Sequence, residues 1–284
     1  MIIDAHTHFY DPTRPEGVPW PPKENALLYR PTLPDRFKAL AEPLGVTGTV
    51  VVEASPRIDD NQWILNLAKE EPMIVGFVGK LPLEMEHLEA YLKRFTRNPL
   101  FRGIRAHASE LGSRGAVKAL RLLERADLSL DLHVNAESLP NAVRAAAAFP
   151  KLRIVLNHTA QARINGEPPD DLWLERMKAA AQQENVYCKA SALAETAAQQ
   201  PAPAEAEYYR PVLDALWELF GERRLIYGSN WPVCELGADY ETVFQIVDSY
   251  FSEKGERARQ RYFAENARAA YKWIDRRNLN RAAQ

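Results

Sequence analysis

The segment Asp4-Ala5-His6-Thr7-His8 ends the first apolar run of the chain, and the interpretation of the remaining sequence starts from it. The run begins at residue 1 and is short and apolar, as expected for a buried strand. Side chains two residues apart on a strand point to the same side, so we expect His6 and His8 to lie together. Two imidazoles at a strand end suit either a divalent metal or a hydrogen-bonded pair inside a core.

Seven more apolar or β-branched runs follow, and helical patterns such as 61–71, 84–95 and 209–220 lie between them. Parallel strands need crossover connections, so this alternation predicts a parallel sheet. Eight units favour a closed (β/α)8 barrel, or TIM barrel, and an open doubly wound sheet is the alternative. The predicted strands are 1–5, 47–54, 73–79, 101–106, 128–134, 152–157, 186–190 and 225–227.

Length and composition are those of one globular enzyme domain. The chain has 284 residues, of which 46% are hydrophobic and 26% charged. A TIM barrel commonly takes about 250 residues, so we expect one domain over residues 1–284. The motifs of nucleotide-binding loops and of serine hydrolases do not occur in the sequence.

Charge and cysteine content indicate a small-molecule substrate and a reducing compartment. The net charge of −2 gives no general attraction to nucleic acid or to anionic membranes. Cys188 and Cys234 are far apart and are expected to be ordinary buried residues. Without a secretory signal or a bilayer-spanning run, the cytoplasm is the expected location. The oligomeric state stays open, with a homodimer as one option.

Five of the six histidines lie at or just after predicted strands. His107 follows the fourth strand, His133 ends the fifth and His158 follows the sixth, in addition to His6 and His8. Barrel enzymes carry their active sites at the C-terminal ends of the strands. The pattern therefore predicts a functional histidine cluster at the mouth of the barrel.

Four further side chains are candidates for substrate binding. Arg105 follows the fourth strand, and its planar guanidinium could hold a carboxylate or an ester oxygen, or form a structural ion pair. Glu53 ends the second strand and is either a base or the partner of Arg105. Lys189 ends the seventh strand and suits an anionic substrate or a salt bridge. Trp231, like Trp20, could stack on a ring or simply pack.

Two segments lack periodicity. Residues 11–34 contain seven prolines and follow the first strand, so they form either a wall of the site or a rigid surface loop. Residues 196–207 are rich in alanine and proline and are interpreted as a solvated loop without chemistry of its own.

A set of motifs occurs in a fixed order along the chain, namely His6-Thr7-His8-Phe9, His133, His158, Gly228-Ser229-Asn230-Trp231-Pro232 and Phe263-Ala264-Glu265-Asn266-Ala267. This set resembles the amidohydrolase-related family, and the resemblance covers nearly the whole chain. Two segments, Gly103-Ile104-Arg105 and Lys189-Ala190-Ser191, are similar to the branch that hydrolyses sugar lactones and 2-pyrone-4,6-dicarboxylate.

The resemblance implies one divalent metal, zinc or manganese, held by His6, His8 and His133, although members of this branch are also thought to work without metal. It implies an aspartate at position 230 that serves as metal ligand and base, whereas this chain has Asn230. A neutral amide cannot accept a proton near neutral pH. Either His158, His107 or Glu53 is the base, or the reaction is not hydrolysis, or the aspartate was replaced deliberately.

The sequence therefore predicts an enzyme that hydrolyses a small cyclic ester, a sugar-acid lactone or a related carboxylated lactone. Arg105 would orient the substrate, and the His6, His8 and His133 group would polarise its carbonyl or hold a metal that does so. His158 would move protons in place of Asn230. The alternatives are a lactone isomerase or decarboxylase on the same barrel, or a barrel that binds a carbohydrate acid without catalysis.

Overall fold

Eight parallel strands form one sheet in the order of the sequence, each paired with the next. The structure, a computed structural model, describes residues 1–276. Two hydrogen bonds join the end of the sheet to its beginning, from His8 N to Trp231 O at 2.8 Å and from Asn230 N to His6 O at 2.9 Å. The sheet is thus closed into the predicted (β/α)8 barrel. The strands are β1 Ile2–Thr7, β2 Val46–Val52, β3 Ile74–Gly79, β4 Phe101–His107, β5 Ser129–His133, β6 Arg153–Leu156, β7 Val186–Ala190 and β8 Leu225–Tyr227.

Helices connect the strands, and three of them begin at a residue whose side chain caps the first turn. Ser113, Asp170 and Asp239 each accept a hydrogen bond from the backbone N–H three residues on, which satisfies an otherwise unpaired donor. Within residues 1–276 the α-helices are α1 Pro34–Ala41, α2 Ile58–Glu70, α3 Leu88–Phe95, α4 Arg114–Arg125, α5 Leu139–Ala148, α6 Asp171–Ala181, α7 Ala206–Phe220, α8 Tyr240–Glu253, α9 Glu256–Gln260 and α10 Asn266–Tyr271.

Two apolar clusters form the core. The larger fills the layer between the sheet and the surrounding helices. The smaller joins Ile3 and Val50 of the strands to Ala267 and Tyr271 of α10, so α10 packs against the barrel from the end opposite the site. Cys188 and Cys234 are unbonded and buried, as expected. No helix within the described residues is both long and apolar enough to cross a membrane.

Candidate active site at the mouth of the barrel

A cavity of about 610 Å³ lies at the C-terminal ends of the strands. Trp20, from the proline-rich segment after β1, forms part of its wall, so that segment borders the site. The volume is in the range of small-molecule sites, about 300–1,000 Å³. Six further side chains singled out in the sequence line it, namely His8, Glu53, Arg105, His133, His158 and Asn230.

Four histidines approach one another beneath and around this cavity. The ring centroid of His6 lies 5.0 Å from that of His8 and 4.4 Å from that of His158. His133 is farther out, at 6.4 Å from His158. His107 contacts His133 at 5.0 Å but is exposed and lines an adjoining cleft instead of the cavity.

All four clustered histidines are neutral near pH 7. Burial lowers the pKa of His8 to about 3 and that of His133 to about 4, and the charge of Arg105 adds to both effects. Burial also holds the pKa of His6 and of His158 well below 6.5. These side chains are therefore weak proton acceptors, which speaks against His158 as the group that takes a proton from water.

The contacts fix which nitrogen of two rings carries the proton. His8 Nδ1 faces the carbonyl oxygens of Val52 and Glu53 at 3.0 and 3.1 Å, so Nδ1 is the donor and Nε2 carries the lone pair. His158 Nε2 lies 3.4 Å from Arg105 Nη2, which can only donate. His158 therefore donates from Nδ1 to Ser191 Oγ at 3.0 Å and orients the guanidinium.

Lys189 is a buried structural cation. Its Nζ lies 2.7 Å from Asp131 Oδ2, which also accepts a hydrogen bond from Tyr271 at 3.0 Å. A second contact, 3.1 Å long, joins Nζ to His6 Nδ1. The ammonium donates there, so the proton of His6 sits on Nε2. Of the two sequence interpretations, these contacts favour the salt bridge over a substrate-binding role.

This donor set does not fit a tightly held divalent metal. A ligating imidazole needs a lone pair towards the ion, whereas the buried Nε2 of His6 is protonated and has no hydrogen-bond partner among residues 1–276. His133 Nε2 is engaged by the amide of Gln161 at 2.6 Å. Within the described part of the chain, no three histidine, cysteine or acidic side chains are grouped as a metal site requires. The predicted set of His6, His8 and His133 is not brought together in this way.

Arg105 and Glu53 both reach the cavity but do not neutralise each other. No ion pair within 4 Å joins them in residues 1–276, although the charge of Arg105 acts on Glu53. Burial raises the pKa of Glu53. The guanidinium therefore remains available to an anionic oxygen in the cavity.

Trp231 packs and does not reach the cavity. It is fully buried, its Nε1 donates to Glu235 at 2.9 Å, and its ring lies against Phe9 and Phe37. Of the two tryptophans considered for stacking on a substrate, only Trp20 lies in the cavity wall.

The backbone is strained where three consecutive strands reach the site. Residues 158–161 after β6, Ala192 after β7 and Asn230 after β8 all have φ between 50° and 61°. Residues other than glycine rarely adopt this left-handed backbone conformation, and those that do are concentrated at functional sites. Gly228 allows the close approach of β8 to β1, because a Cβ there would lie 2.7 Å from the Cβ of His6.

Glu195 is a cavity residue that the sequence interpretation missed. It lies five residues after β7, lines the cavity, and accepts a hydrogen bond from Asn230 Nδ2 at 2.5 Å. Burial raises its pKa to about 7. Thr196, assigned to a loop without chemistry, also lines the cavity. The sequence signal that could have indicated Glu195 is the missing carboxylate at position 230. Its absence implies that an acidic residue follows a neighbouring strand.

This chain is similar to two lactonases in sequence and to an amidohydrolase in structure. The chain is 32% identical to an L-fucono-1,5-lactonase from Burkholderia ambifaria, with 99% of each chain covered. It is 27% identical to an L-fucono-1,5-lactonase from Burkholderia multivorans, with 88% of each covered. Among solved structures, an amidohydrolase from Burkholderia multivorans with bound zinc superposes with a TM-score of 0.86 at 25% identity, over 96% of this chain and 100% of that one.

The family model for amidohydrolases matches residues 3–273. That match includes every cavity residue described above and all of the eight strands except Ile2 at the start of β1. The chain therefore belongs to the amidohydrolase family.

Proposed function

We propose that this protein hydrolyses a small lactone of a sugar acid in the cavity at the barrel mouth. The observation that carries the proposal is the convergence of neutral, buried histidines and of Arg105, which forms no ion pair within 4 Å in residues 1–276, on a cavity of about 610 Å³. The relatives named as L-fucono-1,5-lactonases support a six-membered sugar lactone as the first substrate to test.

In this proposal Arg105 binds the carbonyl oxygen of the lactone. Negative charge develops on that oxygen when water attacks, and a fixed cation in a site shielded from water stabilises it. His158 holds the guanidinium through Nε2 and is itself held by Ser191. His133, half-buried at the rim, lies where it can contact the hydroxyl groups of the substrate.

The proposed reaction does not depend on a tightly bound metal. A similar protein holds zinc, and zinc would be the first ion to test here, with manganese second. Binding requires His6 to move its proton to Nδ1, which faces the Lys189 ammonium, and there is no carboxylate at position 230 to attract the ion. We therefore expect metal content well below one equivalent.

A panel of 1,5- and 1,4-lactones of sugar acids, followed by proton release and by NMR of the product, tests the function. We expect ring-opened acid from at least one 1,5-lactone, and a rate that changes less than about threefold after prolonged chelation, since general-base and electrostatic assistance need no ion. NMR separates hydrolysis from isomerisation or decarboxylation. Folded protein that opens none of the lactones above the spontaneous rate would refute the proposal.

A further inference from the structure

We propose that Glu195 is the general base that activates the attacking water, with Asn230 as the residue that positions it. The proposal rests on lactone hydrolysis in this cavity and adds the catalytic group that the histidines and Asn230 do not supply.

The position of Glu195 fits this role. Its side chain lies in the cavity wall beside Asn230, the residue that occupies the end of β8. Only one of its carboxyl oxygens is engaged, because Oε1 accepts from Asn230 Nδ2 while the buried Oε2 has no hydrogen-bond partner within residues 1–276. An unpaired buried oxygen costs free energy unless it serves a ligand or water, so this atom is left for a partner in the reaction.

The ionisation of Glu195 also fits. With a pKa raised to about 7 by burial, it is a stronger base than an ordinary carboxylate and is still ionised in a large fraction of molecules at neutral pH. The negative charge of Glu195 acts in turn on two nearby titratable groups, Tyr209 of α7 and Cys234 after β8. Burial raises the pKa of both, so both are neutral at this pH.

The other candidates are less suitable. His8 and His158 are neutral but resist protonation, because each is buried near the charge of Arg105. Burial raises the pKa of Glu53, but the charges of Arg105 and Lys80 act against this rise by stabilising its anion. Of the two carboxyl groups, Glu195 is the one that hydrogen-bonds to Asn230, the residue after β8 that also contacts His8.

Asn230 can donate to ionised Glu195 and can accept from protonated Glu195. With Glu195 ionised, Nδ2 donates to the carboxylate, while Oδ1 lies 3.2 Å from the lone pair of His8 Nε2, where no hydrogen bond forms. When Glu195 takes a proton, rotation of the amide by half a turn lets Oδ1 accept from the carboxyl group and lets Nδ2 donate to the lone pair of His8. An aspartate at position 230 could not do this, because two carboxylates in contact repel each other.

In this mechanism Glu195 transfers one proton from the attacking water to the ring oxygen of the lactone. Glu195 removes a proton from water while the water oxygen bonds to the carbonyl carbon, and the carbonyl electron pair moves to the oxygen held by Arg105. Collapse of this intermediate breaks the bond to the ring oxygen. Protonated Glu195 returns its proton to that oxygen, and the product is an open-chain hydroxy acid, which loses its acidic proton to solvent.

Glu195→Gln tests the proposal, with Glu205→Gln as the matched control on the same segment, where Glu205 is exposed. We expect kcat of Glu195→Gln to fall about 10²–10⁴-fold. In the parent and the control, kcat/KM should fall as pH drops below about 7, the pKa of Glu195, and the variant should lack this limb. A variant with parent activity and an unchanged limb would overturn the proposal.

A second variant exchanges the carboxylate of residue 195 and the amide of residue 230, which share one hydrogen bond. The double change Glu195→Gln with Asn230→Asp restores one carboxylate and one amide with their positions exchanged. We expect it to recover at least tenfold of the activity lost in Glu195→Gln, and an equally inactive folded double variant would contradict the assignment. Activity of the parent protein distinguishes the proposed function from the proposed role of Glu195. If the parent protein hydrolyses lactones, the proposed function holds whatever the activity of the variants.

Discussion

Asn230 connects a histidine and a carboxyl group through the two ends of one amide. Its contacts run to His8 Nε2 at 3.2 Å and to Glu195 Oε1 at 2.5 Å. Its left-handed backbone, with φ of 61°, fixes the side chain between them. At this position an amide preserves a neutral link where a carboxylate would add a second buried charge.

The single change Asn230→Asp follows from this arrangement. It places two carboxyl groups in contact, and the pair will retain one proton above neutral pH. We expect no gain in kcat/KM at pH 7, and a lower free energy of unfolding at pH 8 than in the parent, because a second buried charge must form there. Steady-state kinetics and urea unfolding measure both. A rise of 10² or more would mean that the absence of a carboxylate at position 230 limits the parent enzyme.

Single residues also show where sequence reasoning reached its limit. His6 and His8 could be placed together from their spacing on one strand, and the rings do meet at 5.0 Å. The proton position on His6 depends on Lys189, 183 residues away, and Glu195 acquires its role from Asn230, 35 residues away. Such contacts arise from barrel closure and have no local signature in the sequence.

At the level of elements, the strand pattern was largely readable. The bounds of β7 and β8 coincide with the predicted 186–190 and 225–227, and the other strands differ at their ends by a few residues. The loops after β6, β7 and β8 were not readable, since their left-handed residues are histidine, threonine, alanine, glutamine and asparagine instead of glycine. Tertiary contacts hold them, such as Trp173 Nε1 donating to Thr159 O at 2.9 Å.

The loop after β7 depends on a glycine from the segment after β8. A Cβ on Gly237 would lie 2.5 Å from the carbonyl carbon of Ala194 and 2.6 Å from Glu195 N, and backbone atoms cannot move aside without shifting the loop. We expect Gly237→Ala to lower kcat/KM at least tenfold while the protein stays folded, because small displacements of a catalytic group are costly. Kinetics and thermal unfolding of the variant measure this.

The matched control is Gly112→Ala, since no atom of residues 1–276 beyond its chain neighbours lies within 4 Å of a Cβ there and its φ is not positive. If Gly237 acts through Glu195, adding Gly237→Ala to Glu195→Gln should cause little further loss. Fully additive losses in the double variant would show instead that the glycine acts on the enzyme by another route.

For the whole molecule, the buried histidines determine how stability responds to acid. His6, His8, His133 and His158 stay neutral in the folded state, while in the unfolded chain they take up protons as pH falls through about 6.5. The unfolded state then binds more protons, so the free energy of unfolding decreases as pH falls. Asp4, Glu53 and Glu195 oppose this, because burial raises their pKa and the folded state keeps their protons.

Since four groups act in one direction and three in the other, we expect the free energy of unfolding to fall as pH decreases from 6.5 to 5. Glu195→Gln removes one opposing group, so its decline should be steeper by about 1.4 kcal/mol per unit in the same range. Urea unfolding of both proteins at pH 5, 5.75 and 6.5 gives the two slopes. A parent protein whose stability is constant or rises on acidification would show that the histidines are protonated in the folded state. The metal-free donor arrangement described for His6 and His8 would then be wrong as well.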